Sequence, residues 1–269
     1  MDERIDLVEL ALPREAASPR RVGRPAAIWR LFQEAAVQSS SRRGWSPQRY
    51  SEAGIGFVLA QMTALHTREI GYGQPIQAKT WVRSFRRRII SDRELRLSCN
   101  NEPVASASQR WVHVSAALKL QPASPEFVAS FPLHDPLDDP SAVLPELPPA
   151  SGSEHRLSFP CWNAWLDPLG HVNHPTYLEW CDEHTGRLLA AAGVSPALLQ
   201  PVAEHIHYRA GVGGGDTVLL RTSLVGATAD GRTVTLRHEI EDPSSGRAYA
   251  RARTIRRLAD GRALAPLLR

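Results

Sequence analysis

Two short phrases, G-W-S-P at Gly44 to Pro47 and G-V-S-P at Gly193 to Pro196, close two stretches of helical periodicity at matching places in the two halves of the chain. Sliding one half onto the other aligns Gly44 with Gly193, Ser46 with Ser195, Pro47 with Pro196 and Glu34 with Glu183 without a gap. A chain that repeats in this way must build one unit twice, which limits its fold more than composition does. Its 269 residues leave room for two domains of ordinary size. Between the copies, residues 130–153 carry six prolines. Proline fixes φ and removes a backbone donor, so this segment reads as an extended linker. The expected boundaries are a first domain over 1–129, the linker over 130–153 and a second domain over 154–269.

Each half shows the same order of elements. The first has a helix expected from about Pro25 to Arg43, with apolar Ile28, Leu31, Phe32, Ala35 and Ala36 at helical spacing. The second has one from about Pro175 to Ala192, with Tyr177, Leu178, Cys181, Leu188 and Leu189. Alternating residues after the first helix predict strands over about 56–69, 76–85, 89–98 and 104–114, and after the second over about 202–208, 217–226, 232–241 and 247–257. Turn residues such as Asn100-Asn101 and Ala229-Asp230-Gly231 separate them. A strand, one long helix and an antiparallel run of strands make an α+β unit whose sheet lays one face on the helix.

Composition excludes several classes. With 42% apolar and 22% charged residues the chain is globular, and no apolar run approaches the ~20 residues of a membrane span. The N-terminus lacks the layout of a secretory signal, so the expected location is the cytoplasm, with no membrane partner. Cys99, Cys161 and Cys181 are odd in number and widely spaced, which reads as buried free thiols. The net charge of +4 comes from arginine, with runs at Arg86, Arg87, Arg88 and at Arg251, Arg253, Arg256, Arg257. Such an excess suits a partner bearing phosphates or carboxylates, or is simply solvated strand surface. No zinc-finger spacing or RNA-binding motif accompanies it, so nucleic acid is not an expected partner.

The most concentrated chemistry lies before the second helix, where Asp167 to Trp180 reads D-P-L-G-H-V-N-H-P-T-Y-L-E-W. A helix N-terminus leaves N–H groups without helical partners and carries the positive end of the dipole, so it stabilises an oxygen that gains charge. Pro175 suits a first-turn position and leaves the N–H groups of Asn173 and His174 at the helix start. Gly170 permits close backbone approach or positive φ. A carboxylate, Asp167, and an imidazole, His171, stand beside this candidate oxyanion site. The plainer reading is local: Asp and Asn cap helices and close Asx turns in inert proteins. The first copy speaks against it. There the chain reads R-R-V-G-R-P over Arg20 to Pro25, with no acid, histidine or asparagine, although it too leads into a helix.

Other clusters are weaker. His205 and His207, or His171 and His174, with Glu204 nearby, have a spacing that zinc can use, but alternate strand residues simply share a face, and no metal is expected. Gly211 to Asp216 lacks the P-loop lysine and reads as a turn into the next strand. Glu179 and Glu183 are minor alternative bases on the helix, set against Glu34 at the place matching Glu183 in the other copy. Trp29, Trp45, Trp81 and Trp111 belong to the core.

The run D-P-L-G-H-V-N-H-P-T-Y-L resembles the D-x-x-G-H-V-N-N-x-x-Y-L signature of hotdog-fold thioesterases of the 4-hydroxybenzoyl-CoA thioesterase type. The helix with G-W-S-P, the run from Met62 to Val82, A-S-A-S-Q-R-W-V at Ala105 to Val112, and the second-half loop and helix are similar to double-hotdog acyl-acyl carrier protein thioesterases. The resemblance spans about Trp29 to Arg257. It implies two tandem hotdog domains, each a curved antiparallel sheet wrapped around a central helix, with the first copy non-catalytic and serving as a wall for the acyl chain. It implies a thioester hydrolase of lipid metabolism that needs no cofactor and acts on thioesters of acyl carrier protein or CoA, and it leaves room for a homodimer of tandem chains. Asp167 then matches the catalytic acid, as general base or nucleophile. His171 and Asn173 match the residues that position water and substrate, and the N–H of His174 matches the donor that polarises the carbonyl. Gly170, Tyr177, His207 and Arg209 are the expected substrate contacts.

Two departures stand out. Plant-type members have D-x-N-x-H where this chain has Leu169 at the middle position, and Y-R-R-E-C where it has Y-R-A-G-V at Tyr208 to Val212. The simpler chemistry of an acid beside a helix terminus is therefore expected. The alternatives are a dehydratase or hydratase on the same scaffold, and a non-catalytic acyl-thioester binding protein.

Overall fold

The structure is a computed structural model that describes residues 2–268. Contacts group them into two compact units, one extending to Ala16 and resuming over Ala27–Val143, the other of Ala17–Ala26 and the residues from Leu144 onward.

In the first unit strand β1 (Asp6–Ala11) precedes the long helix α1 (Pro25–Arg42), the short helix α2 (Pro47–Glu52), strands β2 (Ile55–His66), β3 (Pro75–Arg86), β4 (Ile90–Cys99) and β5 (Glu102–Ser115), and a last turn of helix, α3 (Pro125–Ala129). The strands pair antiparallel in the order β1-β3-β4-β5-β2. Helix α1 buries Ile28, Leu31, Phe32, Ala35 and Ala36, the apolar face its periodicity predicts, each contributing about 1.5–3 kcal/mol where the side chain is large. Arg93 on β4, buried, reaches Ser39 of α1 at 3.0 Å and Thr80 of β3 at 3.2 Å, and burial lowers its pKa to about 10. Trp29, Trp45 and Trp81 are buried, Trp45 in a cluster with Phe127 and Phe131.

Residues 130–153 hold no helix or strand, as their prolines require, yet they are not a loose tether. On the face of β3 and β4 away from α1, His134 N–H donates to Val82 C=O, Asp135 pairs with Arg83, Asp139 with Arg96 at 2.6 Å, and Ser141 donates to Glu94 at 2.6 Å. The strap covers Glu94, whose side chain is only 1% exposed on what would otherwise be solvated sheet.

The second unit repeats the plan. Strand β6 (Glu154–Pro160) leads to α4 (His174–Ala191), then β7 (Leu199–Tyr208), β8 (Thr217–Ala227), β9 (Val234–Glu241) and β10 (Ala248–Leu258), paired antiparallel in the order β7-β10-β9-β8-β6. The displacement that carries Gly44 onto Gly193 also carries Pro25 onto His174 and Arg42 onto Ala191, so α1 and α4 are the same element twice. All eight strands predicted after the two long helices are present, with ends shifted by a few residues. Edge strands β1 and β6 were not located in sequence.

Beneath α4 the core holds a buried polar cluster among its apolar residues. Arg256, fully buried, pairs with Glu204 at 2.7 Å and with Asp182 of α4 at 2.8 Å. Its place in a basic run suggested a partner-facing charge; the structure corrects this, because Arg256 alternates with Ala252 and Thr254 on the helix side of β10. Beside it, His184 Nδ1 and His238 Nδ1 both lie 2.9 Å from the hydroxyl of Thr222, and His238 Nε2 lies 2.9 Å from that of Thr254. Burial holds the His184 pKa down at about 4 and that of His238 at about 3.

Candidate active site

The loop before α4 is built by its backbone. Asp167 N–H donates to His171 C=O at 2.8 Å and Gly170 N–H to Asp167 C=O at 2.9 Å, while Leu166 and Val172 form an isolated bridge that closes the turn. Gly170 holds φ at +77°. The same frame stands before α1: Ser18 N–H donates to Val22 C=O at 2.7 Å, Arg21 N–H to Ser18 C=O at 2.8 Å, Ala17 bridges Gly23, and Arg21 holds φ at +62°. Two identical turns are therefore made with different side chains. Where the first has Ser18, Val22 and Arg24, the second has Asp167, His171 and Asn173. The polar residues are not what shapes the turn.

Asp167 and His171 meet as expected. One carboxylate oxygen of Asp167 accepts from the N–H of Leu169 at 2.8 Å, an Asx turn that fixes the side chain, and the other lies 3.4 Å from His171 Nδ1. Both side chains are mostly buried, at 16% and 22% exposure, so their interaction is screened less than at an open surface. His171 has no room to retreat: a Cβ added at Gly211 would stand 3.0 Å from its Cβ. Leu169, where plant-type relatives carry Asn, points its side chain into solvent at 44% exposure.

Asn173 is the N-cap of α4 by position, but its side chain makes no capping hydrogen bond. Of the two N–H groups assigned to the oxyanion site, that of Asn173 is spent on the carbonyl of Trp165 at 2.9 Å. The other, that of His174, belongs to the first residue of α4 and is followed by Pro175, which has no N–H.

Tyr177, one turn along α4, is 2% exposed, and its hydroxyl accepts from Val212 N–H at 3.1 Å. Burial pushes its pKa up, with Asp167 among the nearby charges that add to the effect. It acts as a brace between the helix and the Gly211–Asp216 turn. That turn is locked further by Asp216, which accepts from Gly213 N–H at 2.8 Å and from the Tyr249 hydroxyl at 3.3 Å. Sequence reading took this segment only as a turn and missed its part in holding His171.

His207 and Arg209 are not brought to this loop. Tyr208 points toward α4 and donates to His174 C=O at 2.9 Å, so its neighbour His207 faces the other side of the sheet. There burial, then Arg209 and Arg251, hold its pKa below the ordinary value. Glu183 is exposed and paired with Arg187 at 2.8 Å, the solvated helix pair its counterpart in the first copy suggested. Burial raises the Cys161 thiol above its usual pKa, with Asp216 adding to the effect, so it is held as the unreactive thiol. All three cysteines are buried and free. Among the described residues no cluster of three or more His, Cys, Asp or Glu is arranged to hold a metal ion, and no helix is long and apolar enough to cross a membrane.

The profile of the thioesterase-like superfamily matches residues 161–267, which contain the loop, α4 and the sheet of the second unit. No curated protein matches the sequence. Among solved structures, a protein provisionally described as an oleoyl thioesterase from Lactobacillus plantarum superposes with a TM-score of 0.76 at 17% identity, covering 94% of this chain and 96% of its own. The 12:0-ACP thioesterase from Umbellularia californica gives 0.72 at 16% identity, with 95% and 94% covered. An acyl-ACP thioesterase from Bacteroides thetaiotaomicron gives 0.69 at 14% identity, with 95% and 98% covered. These likenesses establish the fold as two tandem hotdog domains.

Proposed function

We propose, from a second domain matched to the thioesterase-like superfamily, that this chain hydrolyses acyl thioesters, releasing a carboxylic acid and a thiol. The observation that carries the reading is the pair of identical turns, of which only the second bears Asp167, His171 and Asn173. A scaffold built twice and furnished once has one site.

In this reading the free oxygen of Asp167 takes a proton from water as that water attacks the thioester carbonyl. The N–H of His174 and the positive end of α4 hold the oxyanion that forms. The carbon–sulfur bond then breaks, and the thiolate, a good leaving group, takes up the proton. His171 and Asn173 orient water and substrate, and Gly170 lets the thioester approach the backbone. Tyr177 supports the site through Val212, while His207 and Arg209 serve, if at all, from the opposite face of the sheet. Water is the only co-reactant, so no cofactor is required. Direct attack by Asp167, through an anhydride, uses the same geometry.

The similar folds of acyl-ACP thioesterases support an acyl carrier protein thioester as substrate; a CoA thioester, and a place in cytoplasmic fatty acid metabolism, belong to the same proposal. The first domain is then a non-catalytic copy. The test is thiol release from acyl thioesters by wild type and Asp167→Asn; equal rates would remove Asp167 from the chemistry. Binding without release by the wild type would favour the non-catalytic alternative, and turnover of enoyl or hydroxyacyl thioesters the dehydratase.

A further inference from the structure

The face of the second sheet turned away from α4 carries its charges in two straight rows set by register. One runs Glu154, Ser223, Arg237, Arg253, His205 across β6, β8, β9, β10 and β7; the next runs Arg156, Arg221, Glu239, Arg251, His207. Three of the arginines are neutralised within the chain: Arg251 by Glu239 at 2.8 Å, Arg221 by Glu241 at 2.7 Å and Arg156 by Glu154 at 2.9 Å. Arg237 and Arg253 are different. They stand directly opposite each other on adjacent strands, both exposed, and neither makes a hydrogen bond or ion pair among the described residues. Like charges in that relation destabilise a sheet, and nothing in the fold needs them there.

We propose that this face is the docking surface for an acidic protein, the carrier that delivers the acyl thioester. The inference rests on the thioester-hydrolase reading for the cargo, but the surface stands on its own geometry. Strands lie about 4.8 Å apart and successive outward residues about 7 Å apart, so the five arginines, on β6, β8, β9 and β10, spread over roughly 14 Å by 7 Å. The charge left unneutralised, on Arg237 and Arg253, lies on an exposed sheet face and suits carboxylates carried on a protein surface. The excess of arginine over glutamate in the two rows is complementary to such a partner and would steer its approach.

The test titrates fluorescently labelled acidic holo-acyl carrier protein with the intact chain at low and high ionic strength, for wild type and Arg237→Glu/Arg253→Glu. The wild type is expected to bind at low ionic strength and to weaken as salt rises. The double variant is expected to bind roughly tenfold more weakly or worse, with a melting temperature close to that of wild type, since one like-charge pair replaces another and no contact is lost. Hydrolysis of an acyl-N-acetylcysteamine thioester, which has no protein carrier, is expected to stay within about twofold of wild type, by the same argument that the charges act on approach. Equal binding by both proteins, or no binding by the wild type, overturns the proposal. So does light scattering that shows the two arginines joining copies of this chain while carrier affinity is unaffected. Should the small thioester release no thiol while the carrier still binds, the hydrolase reading fails and the docking face remains.

Discussion

Acid should unfold the second domain through two histidines that never touch the candidate site. His184 and His238 are neutral in the folded core, held near pKa 4 and 3 by burial, with His155 and Arg187 adding to the effect on His184, and Arg256 and His184 to that on His238. In the unfolded chain each regains an ordinary value near 6.5. As pH falls through that value the unfolded state takes up protons that the folded state refuses, so stability is full above about pH 6.5 and declines below it until the folded groups themselves titrate. The slope is about 1.4 kcal/mol per pH unit for each histidine. Between about pH 7.5 and 4.5 the loss is therefore about 2.5 kcal/mol apiece, near 5 kcal/mol together, against a typical total of 5–15 kcal/mol. Neither residue is more than 3% exposed, so solvent screening removes little of this. Urea unfolding followed by tryptophan fluorescence over that range gives the slope, since Trp162, Trp165 and Trp180 report on this domain. His238→Gln keeps a donor and an acceptor for Thr222 and Thr254 while removing one titration, so it should roughly halve the histidine contribution. A variant whose stability falls with pH as steeply as the wild type would refute the reasoning.

Three further outcomes follow from the geometry. Arg256→Leu strands Glu204, whose side chain is fully buried, and should cost about 3–5 kcal/mol in urea unfolding; Arg256→Leu/Glu204→Leu should recover most of it. Thr222→Val removes the hydroxyl shared by His184 and His238 and should cost about 2–3 kcal/mol in the same experiment. Gly211→Ala crowds His171 from behind and, on the proposed mechanism, should lower kcat about tenfold or more with little change in KM, measured by thiol release.

The two long helices were readable almost to the residue because five apolar positions in each recur at helical spacing and a glycine ends each run. Strands after them showed as alternation. Edge strands β1 and β6 escaped because each has a single neighbour in its sheet: D-L-V-E-L-A carries only partial alternation, and E-H-R-L-S-F-P, although it alternates, is short and has no fully buried residue. Arg256 was misplaced by reading charges as a run; the period of two in A-R-A-R-T-I-R-R already put it with Ala252 and Thr254, away from Arg251 and Arg253. Asp167 and His171 could be paired from sequence because only three residues of one tight turn separate them, and a turn that short leaves few arrangements.

What the sequence determined alone is whatever depends on neighbours along the chain: the repeat, the helices, the turn that carries Asp167, and the asymmetry between its two copies. Tertiary structure decided what depends on residues brought together from afar. It spent the Asn173 N–H on Trp165, set Tyr177 against Val212, turned His207 from the helix, and hid Arg256, His184 and His238 beneath α4. The physical reason is that burial and cross-strand register set which polar groups lose water and which partner replaces it. Neither quantity is local, so the same arginine or histidine reads identically in sequence whether it faces solvent or closes a core.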